Sequence, residues 1–163
     1  MLELLIRSAE PADIPALAAL RATLWPEGSV DEHAQERESQ LQSVDDCTLV
    51  AVAAGRVIGF LEARLRSHAD GCETSPVGYL EGWFVAEEWR RRGVGRALVN
   101  RFELWARERG CRELASDTWL HNLVSQRAHE KLGFSEVDRI VTYRKALDAD
   151  VQLGPHARPP LQA

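Results

Sequence analysis

The run "VGYLEGWFVAEEWRRRGVGRALVNRFELWA" constrains the fold more than any other part of the chain, because its pattern changes period partway along. Val77 to Val85 is apolar and β-rich, as a buried strand would be. From Val94 onward, Val94, Leu98, Phe102 and Trp105 recur at helical spacing, with Arg96, Asn100, Glu103 and Arg107 as the polar stripe. Between the two lie Arg90, Arg91, Arg92, Gly93 and Gly95. A strand, a glycine turn and a helix in that order gather backbone N–H groups at the positive end of the helix dipole. With no Cβ at Gly93 and Gly95, an anion can approach those N–H groups, and the arginines add positive charge around them. A phosphate nest is the expectation; a solvated arginine run at a helix start is the alternative.

The rest of the chain supplies a mixed domain around that unit. "LELLIR" reads as a first strand, and Ile14, Leu17, Leu20 and Leu24 mark a helix that Pro26 ends. A polar, acidic helix is expected over 31–43, then a hairpin pairing Thr48–Ala53 with Val57–Leu65. "ELASD" reads as a fifth strand, followed by a helix from Asn122 to Leu132 stopped at Gly133 and two strands near "SEVDRI" and "VTYRKAL". The fold class is therefore α/β (α+β), one domain over 1–147 with a proline-containing tail over 148–163. A chain of 163 residues has room for one well-buried core.

Charge narrows the partners. The chain carries a formal net charge of -5, and Glu27, Asp31, Glu32, Glu36, Glu38, Asp45 and Asp46 crowd a stretch where Arg37 is the lone formal cation. An acidic lobe and a basic turn point to two charged ligands of opposite sign. One turn of arginines without an aromatic platform argues against nucleic acid. No run of about 18 apolar residues and no basic leader with a cleavage site is present, so the expectation is a cytoplasmic protein with no membrane partner. Cys47, Cys72 and Cys111 are odd in number and lack metal-ligand spacing, which argues against a disulfide framework or a zinc site, so no metal is expected.

Arg90-x-x-Gly93-x-Gly95 lacks the third glycine of the dinucleotide fingerprint and the Gly-Lys-Ser/Thr of the P-loop. It resembles the pyrophosphate-binding motif of the GCN5-related N-acetyltransferase (GNAT) superfamily. "NLVSQRAHEKLGF" is similar to that family's last helix, with Ser125 for the usual alanine and His129 where many members place a thiolate-protonating tyrosine. "LWPEG", "GCETSPV", "LEGWFV", "RRRGV", "GCRELASDT" and "YRK" together resemble the aminoglycoside 6'-N-acetyltransferases of the superfamily. The resemblance implies a mostly antiparallel mixed sheet with splayed parallel central strands and flanking helices, and acetyl-CoA as co-substrate. It also implies direct acetyl transfer in a ternary complex, a cationic aminoglycoside acceptor, antibiotic resistance and a homodimer.

The resemblance carries cofactor binding to Trp83, Phe84, Val85, Arg90, Arg91, Arg92, Gly93, Val94, Gly95, Arg96 and Asn122. It carries acceptor binding to Trp25, His68, Glu81, Asp117 and Asp138. The chemistry needs a donor for the oxygen that becomes negative, which the backbone of "EGWFV" can supply if the strand splays, and Gly82 favours a bulge there. It needs a base for an ammonium that is mostly protonated near neutral pH. Glu81 and Asp117 are the two candidates, with the choice between them open, and His129 is the candidate for discharging the thiolate. Competing structural readings are an edge ion pair for Glu81, a loop cap for Asp117, core packing for Trp25, a solvated loop for His68 and a structural imidazole for His129. Two rival functions stand beside the first: an N-acetyltransferase for polyamines or another small amine or peptide, and a non-catalytic acyl-CoA-binding module.

Overall fold

The structure is a computed structural model that describes residues 3–147. The expected tail over 148–163 lies outside the described residues. Strands β1 (Leu4–Ser8), β2 (Asp46–Ala53), β3 (Arg56–Arg66), β4 (Val77–Val85) and β5 (Glu113–Ser116) form one sheet in chain order. Helices α1 (Ile14–Leu24) and α2 (Val30–Gln40) follow β1, α3 (Val94–Glu108) joins β4 to β5, and α4 (Leu123–Lys131) follows β5. The β1–β2, β2–β3 and β3–β4 pairs are antiparallel, and β4–β5 is parallel. A parallel pair needs a crossover, and α3 is that crossover.

Alternation along the strands sorts the core into two layers. Leu49, Ala51, Leu61, Leu80 and Trp83 face α3, whose Leu98, Val99, Phe102 and Trp105 cover them. Val50, Phe60 and Phe84 face the other way, onto Leu17 and Leu24 of α1. The valine, leucine and phenylalanine side chains among these contribute about 1.5–3 kcal/mol each by leaving water.

Helix α2 docks differently, because His33 and Arg37 are its buried residues. Arg21 of α1 bonds both Glu62 of β3 and Glu36 of α2, and Arg37 lies 3.5 Å from Glu62. Arg21, Arg37 and Glu62 are nearly sealed from solvent, so charge pairing rather than apolar packing ties the acidic helix to the sheet. Ser29 and Glu32 start α2 with a reciprocal capping box.

The strands expected near "SEVDRI" and "VTYRKAL" do not form: residues 135–146 are irregular. Alternation alone does not make a strand: Val137, Ile140, Val141 and Tyr143 stand exposed and add no ladder to the sheet. Strand β5 is consequently the sheet's edge among the described residues rather than an interior strand. The splay is as expected. Pairing with β5 covers Val77 to Leu80, and β4 then runs on to Val85 paired with β3 only. Among the described residues no helix is long and apolar enough to cross a membrane.

Candidate active site

The glycine turn is built as the sequence pattern requires. Gly93 sits at φ 84°, a left-handed conformation that glycine adopts without strain, and α3 begins at the next residue. The first helical bond in that turn is from the Ala97 amide to the Gly93 carbonyl, 2.9 Å, which leaves the amides of Val94, Gly95 and Arg96 as first-turn donors outside the helical ladder. They open on a cleft of about 220 Å³ whose walls include Trp83, Val85, Trp89, Ala128 and Leu132. Amide donors at one end and apolar walls along the side suit a pyrophosphate with a pantetheine arm, so the residues present fit CoA.

The arginines divide the work. Arg90 turns inward, its Nε donating to the Val85 carbonyl at 2.9 Å, and so closes the turn. Arg92 lies over the Trp89 ring at 5.4 Å. Arg96 reaches the Lys131 carbonyl at 2.8 Å, tying α3 to the end of α4. Arg91 is exposed, with a φ of 59°. Phe84 faces α1, stacked against Phe60 at 6.4 Å, so its side chain is turned away from the cleft.

Where the two parallel strands part, β4 bulges. Ala63 pairs with Leu80 and Glu62 with Gly82, which makes Glu81 the extra residue. The bulge expected at Gly82 therefore exists, and it re-aims the Glu81 side chain. Arg66, the last residue of β3, donates from Nη2 to Glu81 Oε1 at 2.7 Å. The same guanidinium lies 3.4 Å from the centroid of the Tyr79 ring. Tyr79 in turn donates its phenol proton to Asp117 Oδ1 at 2.6 Å. Burial, and then the bond to Asp117, push the Tyr79 phenol well above its ordinary value, so it stays a donor.

On the other side of the parting point, His129 of α4 lies edge-on to Trp83 at 4.8 Å. Burial holds its imidazole below the ordinary value, which keeps it neutral near pH 7. Nδ1 is 2.8 Å from the Ser125 carbonyl, which can only accept, so the bonding pattern assigns the ring proton to Nδ1. Nε2 then offers its lone pair to Ser116 Oγ at 2.9 Å, and Ser116 Oγ is also 3.1 Å from the Leu80 carbonyl. Leu80 and Ser116 are the last pair of the β4–β5 ladder, at the apex of the splay.

Residues 14–134 match the acetyltransferase (GNAT) family. The chain belongs to that family. The aminoglycoside N(6')-acetyltransferase type 1 of Stenotrophomonas maltophilia is 43% identical over 145 residues, 88% of this chain and 94% of the relative. A solved structure of the aminoglycoside N-acetyltransferase AAC(6')-Iy in complex with CoA superposes with a TM-score of 0.86 at 38% identity, covering 89% of this chain and 96% of that one. The same enzyme with the bisubstrate analogue CoA-S-monomethyl-acetylneamine gives a TM-score of 0.84 at 39% identity, over 88% of this chain and 99% of that chain.

Within this GNAT domain the sequence-derived residues do not all converge. Asn122 caps α4, its Oδ1 accepting from the Ser125 amide at 3.1 Å. Asp117 does not cap that helix, contrary to the loop-cap alternative. Trp25 is half-buried against Phe60 at 6.1 Å, the packing role weighed for it. His68 is exposed in the loop after β3, 3.7 Å from Asp70. Asp138 is exposed and accepts from the neighbouring Arg139 amide at 2.7 Å. Burial pushes the thiols of Cys47, Cys72 and Cys111 up, Cys47 to about 12, which disfavours a thiolate and a covalent acetyl-cysteine.

Arg66, Tyr79, Ser116 and the Arg21–Glu62–Arg37 cluster escaped the sequence reading. Glu62 had a signal, a lone carboxylate inside "VIGFLEARL", and so did Arg21, on the buried helical stripe between Leu17 and Leu24. Tyr79 and Asp117 meet only through the β4–β5 register, which no local pattern encodes.

Proposed function

We propose that this acetyltransferase modifies the 6'-amine of aminoglycoside antibiotics by direct transfer from acetyl-CoA, with resistance as the outcome. The observation that carries the reading is the pair of carboxylates, Glu81 on the bulge and Asp117 past the end of β5, beside the point where β4 leaves β5. Acetyl-CoA supplies the activated acyl group. The first-turn amides of α3 would hold its anionic end, with the positive charge of the arginine turn around them, and the β4 backbone from Trp83 to Val85 would align the arm. Glu81 and Asp117 bind and orient the acceptor ammonium, and its proton must leave before attack. Losing that charge weakens the drug's attraction to ribosomal RNA.

His129 fits proton transfer through Ser116. Neutral, its Nε2 accepts the Ser116 hydroxyl proton; once protonated, Nε2 donates to Ser116 Oγ, whose proton then turns to the Leu80 carbonyl. An imidazole held neutral first takes up the proton that the acceptor ammonium gives up and then hands it to the departing thiolate, so it acts as a shuttle rather than a standing acid. The exposed apolar side chains of Val137, Ile140 and Val141 and the open edge of β5 support a homodimer. Dependence on acetyl-CoA and three free thiols support work in the cytoplasm.

The test is release of free CoA thiol with kanamycin, tobramycin or spermidine as acceptor. Turnover with the drugs and little with spermidine is the expected result. Turnover with spermidine alone would move the function to a polyamine.

A further inference from the structure

Two carboxylates around one amine create a conflict. They attract the substrate as an ammonium, yet each also raises the pKa of that ammonium, and only the neutral amine can attack a thioester. Arg66 stands in that conflict. Its guanidinium bonds Glu81 at 2.7 Å and lies flat on the Tyr79 ring, whose hydroxyl is bonded to Asp117. Strand β3 thus delivers a permanent cation to Glu81, and the ring whose hydroxyl holds Asp117 fixes where that cation sits.

The site is not sealed: 35% of the Arg66 side chain and 20% of the Glu81 side chain remain exposed, so a substrate amine can approach beside the ion pair. Glu81 and Asp117 carry two negative charges and Arg66 one positive. The remainder matches one ammonium. Of the other titratable groups on neighbouring elements, His68 faces Asp70 in the exposed loop after β3, Glu62 is paired with Arg21 and Arg37, and the imidazole of His129 on α4 bonds Ser125 and Ser116.

We propose that Arg66 is a positioning residue that tunes the acceptor amine: by neutralising Glu81 it lets the site bind an ammonium without fixing the proton on it. A guanidinium does not titrate in the working range, so the effect is constant with pH. The inference rests on the reading that Glu81 and Asp117 face the acceptor. It adds a reason that the same carboxylates do not trap the substrate in its unreactive form.

The experiment is the pH dependence of kcat with saturating kanamycin and acetyl-CoA for the wild type, R66Q and R66K, with E81Q alongside. R66Q is expected to raise the apparent pKa of the rising limb by about one pH unit, so that kcat falls about tenfold near neutrality and recovers toward the wild-type value at alkaline pH. Its KM for kanamycin is expected to stay level or fall, because the site has become more negative. R66K restores the cation and is expected to return the wild-type profile. A loss in R66Q that is equal at every pH, or a shift that persists in R66K, overturns the proposal. Acetyl-CoA affinity reports folding, and should R66Q fail to bind it, the R66K profile alone decides: wild-type supports, shifted overturns. An E81Q variant with undiminished turnover would instead sink the acceptor-site reading itself.

Discussion

The Tyr79 phenol donates to Asp117 across the point where β4 and β5 part, 2.6 Å between oxygens. That bond fixes the orientation of a carboxylate on a loop that has just left the sheet. Removing the hydroxyl while keeping the ring, Tyr79→Phe, preserves the surface on which Arg66 lies. A hydrogen bond to a charged group contributes about 1.5–3 kcal/mol, so kcat/KM for the aminoglycoside should fall about ten- to a hundredfold. Acetyl-CoA affinity should not change, and steady-state kinetics with each substrate varied separates the two effects.

Gly93 occupies a left-handed conformation at φ 84° with no neighbouring atom within 4 Å of an added Cβ. Space is therefore not the obstacle to Gly93→Ala; backbone strain is. A non-glycine residue there costs about 1–2 kcal/mol, which should lower the melting temperature by several degrees. The same strain should move the first-turn amides, so the KM for acetyl-CoA should rise while the KM for the drug changes little.

Glu62 holds two buried arginines from two helices. Glu62→Ala leaves Arg21 and Arg37 buried with their main counter-charge gone, which should cost about 3–5 kcal/mol of stability in urea unfolding. Replacing Glu62, Arg21 and Arg37 together by apolar residues of similar volume should cost far less. A single-site loss no larger than the triple would show that charge pairing does not fasten α2.

His129 gives the stability a pH dependence of known sign. Burial lowers its folded pKa below the ordinary 6.5, so between those two values the unfolded chain binds a proton that the folded chain does not. Stability from this residue therefore rises as pH rises through that window and is lost as pH falls. Thermal unfolding of the wild type and His129→Gln from about pH 5 to 7 checks it: the variant should lose that part of the slope.

How far the sequence reaches depends on whether an interaction is local. The strand, glycine turn and helix from Val77 to Trp105 were legible because hydrophobic period and glycine placement are written into consecutive residues. Glu81 was legible as an oddity, a carboxylate in an apolar strand, but its role as the bulged residue needs the β3 register. Arg66 and Tyr79 are ordinary strand residues in sequence and become a charged stack on a phenol only when β3 and β4 pair. The region after Gly133 misled in the opposite way. Alternating apolar residues predict strands, but a strand forms only where its backbone pairs, and residues 137–143 join no ladder and stay exposed.

The most direct measurement is the site of acetylation on kanamycin, read by mass spectrometry and NMR of the product formed with acetyl-CoA. A single acetyl group on the 6' nitrogen is the predicted result. Acetylation at another amine, or untouched kanamycin under conditions where spermidine is acetylated, would contradict it.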